Sequence, residues 1–282
     1  MLSYRHAYHA GNFADVFKHI VLVLLLEALR RKDKPFLYLD THAGAGRYDL
    51  KSEMASRNRE YLDGIGRLWK APTPPAAVTA YLDAIHALNA NAPALPRWYP
   101  GSSRIARHFL RRGDRMLLAE KHPADGALLR REFSGDRQVR VSREDGYQLL
   151  KSQLPPREHR ALVLIDPAYE LCDELERVYA GLKAGHQRMA TGIFAAWYPV
   201  MPKLNADGLR AKLLESGIRR VLNTELCIHP RDNPLGLNGS GLIIVNPPWQ
   251  LDEAIQGLLP WLWRTLSPAG RGDHFVRWLA GE

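Results

Sequence analysis

Phe36-Leu37-Tyr38-Leu39-Asp40-Thr41-His42-Ala43-Gly44-Ala45-Gly46 reads as a short buried strand running straight into a glycine loop. An apolar run of strand length, introduced by Pro35 and closed by an acid, fits the first strand of an open α/β sheet. Glycine at 44 and 46 lets the backbone approach a ligand where a side chain would collide. The loop lacks the G-K-[ST] of a nucleoside-triphosphate site. Asp49 stands where the dinucleotide pattern G-x-G-x-x-G needs its third glycine. What remains is D-x-x-x-G-x-G, a cofactor loop or, more plainly, a tight turn.

Working outward, residues 12 to 30 have the spacing of an amphipathic helix, with Asn12 as its cap and Asp15 in the capping-box position. Between 48 and 98 two helical stretches, 53–69 and 75–89, flank Pro72-Thr73-Pro74-Pro75, and Pro93 and Pro96 follow. No strand pattern interrupts them, so 48–98 is expected to be a helical insertion in a domain formed by 1–47 and 99–282. Strand patterns resume at Met116–Glu120, Val139–Ser142, Ala161–Ile165, Gly192–Tyr198, Val221–Ile228 and Gly241–Val245. Helical stretches fall at 123–131, after Gly146 until Pro155, at 205–216 and at 251–259. This alternation predicts an α/β, Rossmann-like architecture with a mostly parallel sheet and helices on both faces.

The 282 residues are 46% hydrophobic, enough for a sizeable core and too apolar for a disordered chain. The longest apolar stretch weighed, Ile20 to Leu26, is far short of the roughly 20 residues of a membrane span. The opening residues lack a signal-peptide pattern, and two distant cysteines suggest neither disulfides nor a metal site. A cytoplasmic protein without a metal is expected. The 39 basic residues exceed the 30 acidic ones by nine, which suits a polyanionic partner or a merely solvated basic face.

Each strand after the first also ends in a polar signal. Glu120 closes the second, where a carboxylate suits the two hydroxyls of a ribose. Asp145-Gly146 follows the third, placed to bond an adenine ring or to cap a helix. Asp166-Pro167-Ala168-Tyr169 follows the fourth. Pro167 restricts its own backbone and that of Asp166, so the carboxylate is held in one direction. An adenine amine is a weak nucleophile because its lone pair is delocalised. Asp166 and the Pro167 carbonyl can accept its two hydrogens and favour the charge that develops, while Tyr169 offers a stacking face and a free hydroxyl. A packed strand-end turn is the bland alternative. Asn246-Pro247-Pro248-Trp249 is a rival motif. It comes too late in strand order, and is expected to be a strand exit with Trp249 packed or near the substrate.

The set resembles the class I S-adenosylmethionine-dependent amino-methyltransferases, whose signature is [D/N]-P-P-[Y/F/W] after the fourth strand. The opening Leu2-Ser3-Tyr4-Arg5-His6-Ala7-Tyr8-His9-Ala10-Gly11-Asn12-Phe13-Ala14-Asp15-Val16-Phe17-Lys18-His19 is similar to the bacterial 23S ribosomal RNA adenine-N6 methyltransferase family. The likeness continues through 40–46, Tyr99-Pro100-Gly101-Ser102, Glu120-Lys121-His122-Pro123, Asp145-Gly146 and Leu164-Ile165-Asp166-Pro167-Ala168-Tyr169-Glu170, spanning almost the whole chain. It implies the class I fold with a mostly parallel seven-stranded sheet, S-adenosylmethionine as methyl donor and 23S ribosomal RNA as partner. By that resemblance His19, His42, Ser102, Glu120, Asp145, Gly146 and Asp166 line the donor site, with Lys18 beside His19 and Gly44 and Gly46 in the loop. Tyr4, with Arg5 and His6 next to it, and Tyr169 face the RNA. Asp166, Pro167 and Tyr169 carry the chemistry, in which Asp166 either takes the amine proton or only orients the amine.

Ala168 departs from the family pattern, which has proline there. Losing that ring loosens the turn by ~1 kcal/mol, and slower chemistry is expected rather than none. Arg57, Arg59 and Arg97 are candidates to hold RNA phosphates, and a monomer is expected. Competing readings are a DNA adenine-N6 methyltransferase, a protein-glutamine methyltransferase and a non-catalytic RNA-binding protein with a weakened pocket.

Overall fold

In a computed structural model of the chain, residues 4–90, 94–234, 236–267 and 269–281 are described; Leu2 and Ser3 of the opening run, and Pro93, lie outside them. Helix α1, Phe13–Arg30, starts as the sequence dictates, with the Asn12 side chain accepting from the Asp15 N–H at 2.9 Å. Asp15 does not complete a capping box. Its carboxylate accepts instead from the Gly11 N–H at 2.9 Å.

Strands β1 (Leu37–Asp40), β4 (Arg115–Ala119), β5 (Val139–Ser142), β6 (Ala161–Ile165) and β7 (Ile193–Val200) form the parallel body of the sheet. β8 (Val221–Cys227) and β9 (Gly239–Val245) follow, with β9 running antiparallel between β7 and β8. The spatial order is β10-β8-β9-β7-β6-β1-β4-β5, eight strands where seven are expected from the sequence. The added strand, β10 (His274–Ala280), pairs antiparallel with β8 at the sheet's edge. Its side chains are at best partly buried, with Arg277 and Trp278 exposed, and no glycine-loop or acidic signal marks its end.

Side chains alternate between faces along each strand and divide the core. Tyr38, Leu118 and Leu164 pack beneath α1, α4 (Ala76–His86), α5 (Ser102–Phe109) and α10 (Leu251–Leu266). Leu39, Leu117 and Val163 pack against α7 (Gly146–Gln153), α8 (Glu174–Arg188) and α9 (Ala206–Glu215). Helix α8 has no counterpart in the sequence reading, because its buried stripe is partly Gly181 and Gly185 rather than large apolar residues. Helix α10 runs on through Pro260, beyond the expected stop at 259.

The expected helix over 53–69 is broken into α2 (Glu53–Asn58), a 3-10 turn at Glu60–Leu62 and α3 (Ile65–Trp69). Arg59 lies in the left-handed region at φ 53°, which ends α2. A two-stranded ribbon, β2 (Arg47–Asp49) with β3 (Trp98–Pro100), joins the ends of this segment where no strand is expected.

Candidate active site

The parallel strands deliver their carboxyl ends to a cleft of about 790 Å³. At the end of β1, buried Asp40 accepts from the Tyr38 hydroxyl at 2.8 Å and the Ser102 hydroxyl at 2.7 Å. Burial lifts its pKa to about 6, against the pull of those two donors. Ser102 begins α5, so the free N–H groups of that helix start open on the cleft beside Gly101. Gly44, at φ +61°, turns its N–H to the Glu120 carboxylate at 2.8 Å, and the His122 N–H reaches the other oxygen at 2.7 Å. Burial raises Glu120 above the usual carboxylate range even so.

Across the cleft Asp145 caps α7, accepting from the Tyr147 N–H at 3.0 Å. Burial alone would raise Asp145, but that N–H with Lys121 and Arg177 holds it low. Gly146 is required by contact. A Cβ there would stand 2.1 Å from the Thr41 carbonyl oxygen. His42 shares a hydrogen bond with Thr41 Oγ1 at 2.8 Å, and burial pushes it down to about 4. His19 pairs with the Tyr99 hydroxyl at 2.8 Å and is pushed by burial to about 3, so both rings are neutral near pH 7.

A connected polar chain runs from the N-terminal segment to the Asp166 turn. Tyr4 Oη meets His6 Nδ1 at 2.9 Å, and His6 Nε2 meets Asp15 Oδ2 at 2.9 Å. Lys18 Nζ lies 2.9 Å from Asp15 Oδ1 and 2.6 Å from Asp166 Oδ2. Burial alone would lower Lys18, but Asp15 and Asp166 outweigh it and keep the ammonium charged. Burial alone would likewise raise Asp15, and His6 and Lys18 hold it well below the carboxylate range. The Lys18 ammonium also sits 5.3 Å over the Trp197 ring. Lys18 occupies Oδ2 of Asp166, whose side chain lines the cleft.

The fold thus brings Tyr4, His6, Lys18, His19, His42, Gly44, Ser102, Glu120, Asp145, Gly146, Asp166, Pro167 and Tyr169 to one cleft. Two expected residues are not among its lining. Gly46 faces α6 (Pro123–Glu132), where a Cβ would lie 3.0 Å from Leu129 Cδ1. Arg5 is turned to Asp125 at 3.3 Å. The Tyr169 hydroxyl is not free as expected: the residue sits at φ 53° and donates to the Trp197 carbonyl at 2.6 Å. Trp249 is neither packed nor near the cleft. Because β9 runs backwards, its exit lies at the opposite edge of the sheet, and Trp249 is 79% exposed.

Sequence reasoning missed Asp15 as more than a cap, Asp40 as the partner of Ser102, and Trp197. Asp40 is visible as the acid of D-x-x-x-G-x-G and Asp15 as an acid three residues before Lys18 on one helix face, but neither partnership is, and Trp197 leaves no trace.

A parallel sheet with reversed β9 set between its fifth and sixth members and reversed β10 at its edge, with a glycine loop and acids at the strand ends, defines a class I methyltransferase. Residues 33–280 match the family model described as ribosomal RNA large subunit methyltransferase D, RlmJ, and the chain belongs to that family. It is 48% identical over 282 residues to a protein of Escherichia coli K12 called ribosomal RNA large subunit methyltransferase J, covering all of both chains. It is 45% identical, again over the full length of both, to a Haemophilus influenzae protein of the same name. Among solved structures, protein LPL1258 of Legionella pneumophila is similar, with a TM-score of 0.88 at 36% identity, over 96% of this chain and 98% of that one.

Proposed function

We propose that this protein transfers a methyl group from S-adenosylmethionine to the N6 amine of an adenine in 23S ribosomal RNA. The names of the two curated relatives support the RNA class. The observation that carries the chemistry is the Asp166-Pro167 turn at the end of a central strand, its carboxylate anchored by Lys18 inside the cleft.

The donor set suits such a ligand. Nine Asp and Glu line the cleft against three Lys and Arg, which favours a molecule carrying positive charge, as the sulfonium and ammonium groups do. In this reading Glu120 takes the ribose hydroxyls, Asp145 and Gly146 the adenine of the donor, and His19 with the start of α5 at Ser102 its carboxylate. His42 and Gly44 wall the same pocket. Bound there, S-adenosylmethionine supplies a methyl group made electrophilic by its positive sulfur.

Asp166 Oδ1 and the Pro167 carbonyl accept the two hydrogens of the target amine. That pair localises the nitrogen lone pair and meets the positive charge growing on it. With Oδ2 committed to Lys18, Asp166 orients and polarises the amine by charge-assisted hydrogen bonds. As the nitrogen bonds the methyl carbon, the carbon–sulfur bond breaks, the neutral thioether leaves, and the methylated nitrogen sheds its extra proton to water. Tyr169 offers its ring to a base that has left its stack. Tyr4 and His6 form the substrate side of the mouth, with Arg5 behind them. The protein works in this reading as a cytoplasmic monomer, with 48–98 as a helical insertion subdomain; among the described residues no helix is long and apolar enough to cross a membrane.

Nucleoside mass spectrometry tests the proposal, after incubation with S-adenosylmethionine and either unmodified large-subunit RNA or duplex DNA. N6-methyladenosine is expected in the RNA alone, lost with Asp166→Ala and kept with Asn246→Ala. Product in DNA, or none in RNA from a protein that binds the donor, would overturn it.

A further inference from the structure

The charge of this chain is segregated. Segments 30–34, 111–115, 157–160 and 219–220 hold eleven Lys and Arg against three acids, a net +8 of the chain's +9. All four meet at one edge of the sheet. The Arg115 N–H bonds the Phe36 carbonyl and the Leu37 N–H bonds the Arg160 carbonyl, which sets three of them at the entrances of β4, β1 and β6. The Arg220 carbonyl accepts from the Asn246 N–H at the exit of reversed β9. The cleft lies at the other edge, lined by nine carboxylates and three cations. A polyanion is therefore drawn to the far edge and gains little from the cleft itself.

Much of this positive charge is left for a partner. Arg111 and Arg160 give guanidinium N–H bonds to the carbonyls of Leu29, Arg30, Lys32 and Lys34. Arg111 is also paired with Asp114 at 3.1 Å, whereas the bonds of Arg160 hold the loop after α1 without neutralising it, since a carbonyl carries no net charge. Arg31, Lys32, Lys34 and Arg112 are exposed and form no ion pair among the described residues.

The same edge presents the motif that methyl transfer leaves unused. Asn246 donates from its amide to the Ala190 and Gly192 carbonyls at 2.6 and 2.8 Å, and Arg220 donates to the Pro247 carbonyl at 3.3 Å. These bonds fix a turn whose ends, Asn246 and Gln250, lie at φ 53° and 61°. The turn holds Trp249 out into water at 79% exposure. An indole presented rigidly beside arginines can stack a base while the cations hold its phosphates.

We propose that this edge is a second RNA-contact surface, gripping a part of the large-subunit RNA away from the target adenine. The identity of the partner rests on the RNA reading above. Binding of a fluorescent large-subunit RNA fragment to the full chain, titrated across salt and read apart from methylation, tests it. Lys32→Glu/Lys34→Glu/Arg112→Glu should bind the long fragment at least about tenfold more weakly, with a salt slope smaller by about three. Trp249→Ala should weaken binding about tenfold with the slope unchanged. Turnover of a short stem-loop, which reaches only the cleft, should stay at the unmodified level in both. The glutamine triple, Lys32→Gln/Lys34→Gln/Arg112→Gln, repeats the test without adding negative charge. Unaltered affinity and slope in both triples would overturn the inference, leaving the edge a solvated face or a protein-binding one. Tight edge-dependent binding with no methyladenosine formed would instead overturn the substrate reading and keep the surface.

Discussion

Replacing Lys18 with methionine keeps the side-chain length and removes the cation that joins Asp15 to Asp166. Lys18 is 4% exposed and Asp15 2%, and the ammonium sits 2.9 and 2.6 Å from the two carboxylates. Breaking a buried ion pair from one side costs about 3–5 kcal/mol. Asp15 would keep His6 and the Gly11 N–H, and Asp166 borders the cleft, where water reaches it. The expected loss is therefore at the low end, about 3 kcal/mol near neutral pH. The pH dependence follows from the directions of the shifts. Lys18 is raised, so its share is present below its ordinary value of 10.5 and is lost only as the pH climbs through the folded one. Asp15 is lowered, so its share is present above 3.8 and is lost as the pH falls through the folded value. Between these limits the native pair contributes evenly. In the variant Asp15 loses one of the cations that hold it low, so the deficit against the native protein shrinks as the pH drops from about 7.5 to about 5.5. Urea unfolding of both proteins at those two pH values measures this. A deficit under about 1 kcal/mol at the higher pH, or one that does not shrink at the lower, would refute the reasoning.

Gly146→Ala should destabilise the protein by about 2–3 kcal/mol, because its Cβ would meet the Thr41 carbonyl at 2.1 Å and α7 must retreat; a thermal melt and donor titration calorimetry check both stability and affinity. Asp40, lifted by burial to about 6, binds its proton more tightly folded than unfolded, so its ionisation lowers stability as the pH rises from 3.8 toward that value. The stability difference between the native protein and Asp40→Asn should change across that window and level off above it, as unfolding curves at stepped pH would record. Ala168→Pro should add about 0.4–1 kcal/mol by restricting the unfolded chain and raise turnover by tightening the Asp166 turn, measured by urea unfolding and steady-state kinetics.

The elements nearest the cleft were legible because each depends on neighbours in sequence. The β1 run, the Asn12 cap, the Pro155 stop and the Asp145 cap need only local periodicity and local hydrogen bonds. Where the signal was diluted, the reading fell short. Helix α8 buries glycines that add little apolar contrast, and β10 is at best partly buried at an edge. The broken helix over 53–69 turns on one left-handed residue, Arg59, which no apolar pattern announces.

By itself the sequence determined where the first four parallel strands fall along the chain and the chemistry at their ends: a glycine loop, then Glu120, Asp145 and Asp166, each placed by where an apolar run stops. Only the tertiary structure decided which of these groups meet. Lys18 reaches Asp166 across 148 residues, and the Tyr169 hydroxyl is spent on Trp197. The reversal of β9 sends the Asn246 motif to the far edge of the sheet, although it matches the amine-methylating signature better than the Asp166 turn does. The same folding parts the basic edge from the acidic cleft. Local pattern reports which faces are apolar and where a strand ends. Strand direction and contacts between distant segments come from burying those faces together, and they decide where each charge comes to rest.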